Sequence, residues 1–186
     1  AAMALSGRGH AAQVFIPGLE GRIEALIDKP ADIIAPRGIA IVAHPHPLYG
    51  GTLDNKVVQT LAHAFADLGY IALRPNFRGA GESEGRHDQG EGESADMLCV
   101  ADYAFVQHGK HPLVLAGFSF GGYVQTRAAR LLADRGDAIE RMVLIGLAVG
   151  RVTSDRSYET GSVPANTLLI HGDHDETVPL ANVLAW

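Results

Sequence analysis

The chain has 186 residues, a net charge of −6 and 47% hydrophobic residues, which is the composition of one ordinary globular domain. The negative charge and the absence of a lysine and arginine cluster argue against a nucleic-acid partner. Because the sequence contains no run of about 18 apolar residues, we also predict no membrane span and no membrane partner.

Cysteine usage and the N-terminal residues bear on the compartment. Cys99 is the only cysteine, which excludes an internal disulfide, and its apolar neighbours favour a buried structural side chain. A single unpaired thiol fits a reducing compartment, and no basic stretch precedes an apolar one near the N-terminus. We therefore predict a cytoplasmic protein, and we expect the native start at Met3.

Short apolar runs alternate with amphipathic stretches along the chain, which predicts an α/β fold. Strands are predicted over residues 13–16, 22–28, 38–44, 70–74, 112–117, 141–147 and 163–171. Helices are predicted over residues 55–68 and 93–108, from 120 towards Gly136, and from Pro179 onward.

This order of elements predicts a three-layer α/β/α sandwich with a mostly parallel sheet and antiparallel N-terminal strands. We predict one domain over residues 1–186. Only residues 148–162 separate the last two strands, which is too short for a separate lid domain. The final amphipathic stretch ends before its apolar face can be covered, so we expect the chain to be C-terminally truncated.

A serine flanked by glycines follows the apolar run at 112–117. Residues 117–121, which we call the elbow, read Gly-Phe-Ser-Phe-Gly, and an amphipathic stretch begins directly after Ser119. A strand, a sharp turn and a helix in this order lift a nucleophilic serine above a sheet. A capping serine in a glycine-rich connection is the weaker interpretation, because all three parts of the motif are in place. We therefore predict that Ser119 is a catalytic nucleophile.

The loop at 44–51, His-Pro-His-Pro-Leu-Tyr-Gly-Gly, leaves the carboxyl end of a buried strand, where parallel sheets bind ligands. An acyl-transfer enzyme needs two backbone N–H donors for the oxyanion. One should come from the residue after the nucleophile, Phe120, and the other from this loop. The two prolines have no N–H, which leaves His46, Leu48 or Tyr49, and we predict His46.

The same loop allows a second interpretation, because His44 and His46 form an H-x-H pair that can bind zinc. A catalytic zinc site needs a third protein ligand. Apart from His171 and His174 near the C-terminus, no partner stands out. We predict no metal site and no cofactor.

Three carboxylates follow the last predicted strand in the 171–179 loop, namely Asp173, Asp175 and Glu176. A triad acid belongs in such a loop, where it orients a histidine, although a solvated acidic turn is the plain alternative. The chain order in this kind of site is serine, acid, histidine. No histidine follows Asp175, so we expect the histidine base beyond Trp186.

Four segments together resemble the α/β-hydrolase superfamily, and more narrowly its small dienelactone-hydrolase-like serine esterases. The resemblance implies the α/β-hydrolase fold, and it places the triad acid at Asp175, ahead of a Val-Pro pair. Dienelactone hydrolases carry cysteine where this chain has Ser119, and the terminal histidine motif of the family is absent. The segments that carry the resemblance are 44–51, 76–83, 117–121 and 171–179.

The leading hypothesis is hydrolysis of carboxylic esters of small or soluble substrates through an acyl-enzyme on Ser119. The amides of Phe120 and His46 would hold the oxyanion, and Asp175 would orient the histidine base. A peptidase or another acyl transferase with the same residues is the second hypothesis, and a non-catalytic binding protein of the same fold is the third. The expected partner is a small-molecule ester, and a homodimer is left open.

Overall fold

The computed structural model describes residues 11–186, so a native start at Met3 lies outside the described residues. The strands are β1 (Ala12–Gly18), β2 (Gly21–Asp28), β3 (Gly38–Ala43), β4 (Tyr70–Pro75), β5 (Leu113–Phe118), β6 (Ile139–Ile145), β7 (Gly150–Arg151), β8 (Ser157–Tyr158) and β9 (Thr167–Ile170). The helices are α1 (Lys56–Asp67), α2 (Glu91–His108), α3 (Phe120–Asp134) and α4 (Leu180–Ala185), with a 3-10 turn at Pro47–Tyr49.

The main sheet has the order β1-β2-β4-β3-β5-β6-β9, and its antiparallel strands lie at the N-terminal edge. β1 pairs antiparallel with β2, and β2 with β4, while the pairings from β4 to β9 are parallel. Parallel neighbours need a crossover, and the helices α1, α2 and α3 supply those between β3 and β6. The sheet is therefore mostly parallel with antiparallel N-terminal strands, as the sequence predicts.

Helices cover both faces of the sheet. Ile39 and Ile41 of β3 pack into the core formed with α2 and α3, while Ala40 and Val42 pack into the core formed with α1. A strand that is buried on both faces must be apolar along its whole length, which explains the continuous run at 38–44. The predicted three-layer α/β/α sandwich is confirmed.

Two segments near the C-terminus differ from the sequence-based expectation. β9 is shorter than the predicted 163–171, because the Pro164 carbonyl accepts the N–H of Thr167 at 3.2 Å and forms a turn there. Residues 148–162, expected only as a connection, contain the antiparallel pair β7 and β8. We call residues 148–162 the rim hairpin.

β9 is an edge strand whose apolar side chains are poorly covered. Leu168, Leu169 and Ile170 are 48%, 40% and 49% exposed, although β6 pairs with the strand on one side. Neighbouring side chains of a strand point to opposite faces, so both faces of β9 expose apolar surface within the described residues.

A buried ion pair fastens the glycine-rich loop between β4 and α2. The Arg78 guanidinium donates to both carboxylate oxygens of Asp96, at 2.7 and 2.9 Å, and to the Gly92 carbonyl at 3.1 Å. The two side chains are 5% and 3% exposed. A bidentate pair of this kind fixes orientation as well as charge, so the loop is anchored to α2.

Asp96→Ala should lower the free energy of unfolding by about 2–4 kcal/mol, because it removes the buried bidentate partner of Arg78 and leaves only the half-exposed Glu20 carboxylate, at 3.2 Å. Asp102→Ala removes the exposed partner of Arg135 and is the matched control, with an expected loss below about 1 kcal/mol. Urea denaturation of both variants measures the difference. Equal losses would contradict the anchoring role of the buried pair.

Candidate active site

Ser119 occupies a strained turn directly after β5. Its backbone has φ 55° and ψ −118°, a conformation that non-glycine residues rarely adopt. The turn needs small neighbours, because a Cβ on Gly117 would lie 2.5 Å from backbone atoms of Gly121. A Cβ on Gly121 would collide with the carbonyl oxygens of Ala43 and His44. These two glycines therefore let the elbow close against the end of β3.

Backbone hydrogen bonds hold Ser119 between β5, β6 and α3. Its N–H donates to the Ile145 carbonyl at 2.9 Å, and its carbonyl accepts from Gly122 and Ala148 at 3.0 and 3.3 Å. Ser119 is half-buried rather than enclosed in the core. It thus lies at the carboxyl edge of the parallel strands, where sheets of this kind bind ligands.

The 44–51 loop uses several of its N–H groups internally. The Leu48 N–H donates to His46 Nδ1 at 3.3 Å, and the Tyr49 and Gly51 N–H groups donate to the His46 carbonyl at 3.1 and 3.0 Å. Of the three N–H donors considered from the sequence, those of Leu48 and Tyr49 are therefore bonded within the loop. The His46 N–H makes no hydrogen bond to an acceptor within residues 11–186, so it is the one that fits an incoming oxyanion.

The two predicted oxyanion donors are neighbours in space. The ring of Phe120 packs against the ring of His46, with 4.6 Å between the centroids. Phe120 is the first residue of α3, where backbone N–H groups point out of the helix towards an anion. The structure therefore brings Phe120 and His46 together beside Ser119.

His44 is fully buried and has a structural role. Its Nε2 accepts the Phe77 N–H at 3.0 Å, which places the proton on Nδ1, and Nδ1 donates to the Pro45 carbonyl at 2.6 Å. Burial lowers the pKa of His44 to about 4. Both ring nitrogens are engaged, so His44 has no lone pair for the zinc considered above. Within residues 11–186, no group of three side chains is placed to hold a metal ion.

The imidazole of His46 is neutral near pH 7. Burial lowers its pKa to about 4, and electrostatic interactions with His87 and Arg156 lower it further. The ring packs against Tyr49 and His87, with centroid distances of 4.9 and 4.6 Å. These contacts fix the ring, and through it the direction of the His46 backbone.

Asp175 is held in a fixed orientation by its own loop. Its Oδ1 accepts the N–H groups of Thr177 and Val178, both at 2.8 Å. A carboxylate that binds the backbone two and three residues further on forms an Asx-type turn. This turn leaves the second oxygen, Oδ2, without a backbone donor from these two residues.

The Asp175 carboxylate lies at the same strand end as the nucleophile. A Cβ on Gly146, the residue after β6, would lie 3.4 Å from Asp175 Oδ2. The preceding residue, Ile145, accepts the Ser119 N–H. Asp175 and Ser119 therefore flank the carboxyl end of β6.

The other two carboxylates of the 171–179 loop face solvent. The Asp173 side chain is 80% exposed and pairs with His174, which is 93% exposed, at 2.8 Å. Glu176 is exposed as well, whereas the Asp175 side chain is only 21% exposed. Of the three acids considered from the sequence, Asp175 is the one turned towards the sheet.

No hydrogen bond joins a histidine to Ser119 or to the Asp175 carboxylate within residues 11–186. His171 Nε2 lies 3.6 Å from Asp175 Oδ2, but it donates to the Val178 carbonyl at 2.7 Å and its side chain is 5% exposed. The described residues thus bring the candidate nucleophile, the candidate acid and the two candidate oxyanion donors together, without a histidine between the first two.

Sequence reasoning missed an aromatic wall formed by the rim hairpin and α3. The ring of Tyr158 packs on Phe120 and Tyr123, with centroid distances of 6.2 and 5.0 Å. The Arg156 guanidinium carbon lies 4.2 Å from the centroid of the Tyr49 ring. Two-residue strands are too short to show an alternating pattern, so no signal in the sequence marks this wall.

A cavity of about 640 Å³ opens between the rim hairpin and α4. A volume of this order suits part of a small organic substrate. Tyr158 belongs to both the cavity and the aromatic wall, so the cavity adjoins the elbow. The residues that line it include Arg130, Val149, Tyr158, Thr160, Asn182 and Trp186.

A strained serine between a parallel strand and a helix, with an acid after a later strand, defines a serine hydrolase of the α/β-hydrolase fold. The model of the serine aminopeptidase family S33 matches residues 35–154, and the chain belongs to this family. The match includes the 44–51 loop and the elbow, and it ends before the 171–179 loop.

Relatives of known sequence or structure agree with this assignment. The Rickettsia prowazekii protein RP471 is 34% identical over 172 residues, which are 92% of this chain and 70% of that protein. A Xanthomonas campestris α/β serine hydrolase described as lacking a lid is 37% identical, with a TM-score of 0.80 over 95% of this chain and 77% of its own. The resemblance to the α/β-hydrolase superfamily is confirmed.

The narrower resemblance has a structural counterpart. A structure from Klebsiella pneumoniae, described as that of a dienelactone hydrolase, superposes on this chain with a TM-score of 0.69. The match covers 94% of this chain and 77% of that one. The sequence identity is 21%, so this likeness concerns the fold alone. The fold of the dienelactone-hydrolase-like branch is therefore shared.

Backbone strain at Ser119 gives a first test of the elbow. Ser119→Gly should be more stable than Ser119→Ala by about 1 kcal/mol, because glycine adopts positive φ without the usual steric cost. Both variants lack the hydroxyl, so their difference isolates the backbone. Thermal and urea unfolding measure it. A Ser119→Gly variant less stable than Ser119→Ala would contradict a strained turn.

Burial of neutral His44 predicts a dependence of stability on pH. The folded-state pKa is about 4, whereas an unfolded histidine titrates near about 6.5. The unfolded chain therefore binds a proton first, and stability is lost as pH falls from about 6.5 to about 4. The slope from His44 alone should approach about 1.4 kcal/mol per pH unit. His44→Gln should flatten that slope, and an unchanged slope would contradict this assignment.

Proposed function

We propose that the protein hydrolyses carboxylic esters of small or soluble substrates through an acyl-enzyme on Ser119. The observation that carries the proposal is that Ser119, Asp175 and the two candidate oxyanion donors lie at the same edge of the sheet, where its parallel strands end. The family and the serine hydrolase relatives support the same chemistry.

The mechanism follows from the charges that develop during acyl transfer. A histidine takes the proton of Ser119 Oγ, which attacks the carbonyl carbon of the ester. The Phe120 and His46 amides stabilise the oxyanion, a contribution of about 10²–10³ in rate for each donor. The bond to the alcohol breaks, and the histidine returns the proton to the leaving oxygen. Water, activated by the same histidine, then releases the acid from Ser119.

We propose that this histidine lies beyond Trp186. None of the described histidines bridges Ser119 and Asp175, and Asp175 alone of the loop carboxylates is turned towards the sheet. The curated and solved relatives are longer than this chain, which covers 70% and 77% of two of them. Sequencing of the native transcript tests the proposal, and a stop codon directly after Trp186 would reject it.

Small or soluble esters fit the described rim of the site. The rim hairpin is a short antiparallel pair, and residues 11–186 contain no helical insertion between β6 and β9. The absence of a separate lid domain stays a prediction. A site without a lid suits short acyl groups, so short esters should be better substrates than long-chain ones.

A peptidase is the second candidate function, because the matching family is named for serine aminopeptidases. An aminopeptidase must bind a protonated amine, which requires a carboxylate near the scissile bond. Glu159 lines the cavity, but it is exposed. The aromatic wall carries two cations, the guanidinium of Arg156 near Tyr49 and that of Arg127 near Tyr123. This charge favours esters over free N-terminal peptides.

The proposed reaction names the partner, whereas cysteine usage bears on the compartment. The partner is a small-molecule ester, and a homodimer stays open. The single unpaired cysteine supports a cytoplasmic location. Separately, no helix within residues 11–186 is long and apolar enough to cross a bilayer.

Ser119→Ala should lower kcat/KM for p-nitrophenyl acetate by at least about 10⁴-fold in the full-length protein, because it removes the nucleophile. Asp175→Asn should lower kcat by about 10³–10⁴-fold, because it no longer orients the histidine. Ser162→Ala, at an exposed position, is the control and should keep full activity. An active Ser119→Ala variant would reject the proposed function.

A further inference from the structure

We propose that Arg156 binds a carboxylate on the ester substrate, so that the enzyme prefers esters carrying a negative charge. The inference rests on the proposed function and names the substrate class of the same site. Two observations carry it: the position of Arg156 on the aromatic wall, and the absence of a carboxylate partner for its guanidinium within the described residues.

The Arg156 side chain extends from the rim hairpin to the 44–51 loop. Its guanidinium carbon is 4.2 Å from the centroid of the Tyr49 ring. Its charge is close enough to His46 to contribute to the lowered pKa of that imidazole. The guanidinium also faces the hydroxyl of Tyr158, the next residue but one along the hairpin. A cation is thus placed beside one of the two candidate oxyanion donors.

The rim hairpin is tied to the nucleophile. The Ala148 N–H donates to the Ser119 carbonyl at 3.3 Å, and the Thr160 hydroxyl donates to the Ala148 carbonyl at 3.0 Å. From the other side, Tyr158 packs on the ring of Phe120. These contacts hold Arg156 at a set position relative to the reacting serine.

Elsewhere in the chain, buried arginines have carboxylate partners. Arg74 pairs with Asp28 at 2.9 Å, and Arg78 pairs with Asp96 at 2.7 Å. Arg156 differs, because its Nε is buried without an acceptor and no ion pair forms with a carboxylate of residues 11–186. A buried donor without a partner is costly and calls for a ligand that satisfies it.

The neighbouring acid does not neutralise Arg156. The Asp155 carboxylate accepts the Thr153 hydroxyl at 2.6 Å and is fully exposed, and its charge interacts with that of Arg156 through solvent. A solvated charge of this kind is screened by water and salt. The Arg156 guanidinium therefore keeps its capacity for a second anion.

A second guanidinium reinforces the positive charge of the wall. Arg127 of α3 lies 5.9 Å from the centroid of the Tyr123 ring, which packs on Tyr158. Its Nε is likewise buried without an acceptor in the described residues. The chain as a whole has a net charge of −6. Two guanidiniums near the packed rings of Tyr123 and Tyr158 therefore favour an anion at this place.

A carboxylate matches this site by shape and charge. A guanidinium presents parallel N–H groups that bind both oxygens of a carboxylate, and aromatic walls limit the competition from water. The rival explanation is mechanical: Arg156 fastens the rim hairpin to Tyr49 and binds no substrate. In that case its loss would affect charged and neutral substrates equally.

The test compares esters that carry a carboxylate with their methyl esters, using the full-length enzyme. One pair places the charge on the acyl group: mono-p-nitrophenyl adipate and its methyl ester. The second pair places it on the leaving group: 4-acetoxybenzoate and methyl 4-acetoxybenzoate. For each pair, the ratio of kcat/KM for the anionic to the neutral ester is measured, which cancels general losses of folding or activity.

In at least one pair the wild-type enzyme should prefer the anionic ester, and Arg156→Gln should lower that ratio by about 10- to 100-fold. Arg156→Lys keeps the charge but not the paired N–H groups, so its ratio should lie between those of the wild-type enzyme and Arg156→Gln. Arg151→Gln, an exposed charge change in the same hairpin, should leave the ratio unchanged. Because Arg151→Gln and Arg156→Gln each remove one positive charge from the hairpin, this control excludes a general effect of surface charge.

Failure of the inference is distinguishable from failure of the proposed function. Ser119-dependent hydrolysis of the neutral esters without a charge preference, or with a ratio that Arg156→Gln does not change, would overturn the Arg156 assignment alone. A ratio lowered equally by Arg151→Gln would also overturn it. Absence of Ser119-dependent hydrolysis for all four esters would overturn both.

Discussion

The close contact between Gly121 and the end of β3 is the constraint on which the site depends. Because residue 121 has no side chain, the start of α3 reaches the carbonyl oxygens of Ala43 and His44. At this approach Ser119 has a positive φ, and the ring of Phe120 packs against the ring of His46. The candidate nucleophile and the candidate oxyanion donors thus meet at this backbone contact.

Around this contact, buried histidines are used as neutral packing groups. His44 accepts the Phe77 N–H through Nε2 and donates to the Pro45 carbonyl through Nδ1. His46 packs between aromatic rings. Burial keeps both imidazoles uncharged near pH 7. Two neutral imidazoles therefore add no charge beside Ser119.

The elbow and the core strands could be predicted because their signals are local. Glycines flank Ser119, and β3 is apolar throughout since both of its faces are covered. The rim hairpin could not be predicted, because its strands have two residues each. The resemblance, and not spacing, singled out Asp175 among three acids, and only its turn and lower exposure separate it from Asp173.

The central claim is that Ser119 carries an activated hydroxyl. It is tested most directly by treating the full-length protein with a fluorophosphonate and mapping the adduct by tryptic mass spectrometry. An activated serine reacts where ordinary hydroxyls do not, so the account predicts one adduct, on the peptide that begins at His111 and ends at Arg127. An adduct on another peptide, or none on the complete and folded protein, would contradict it.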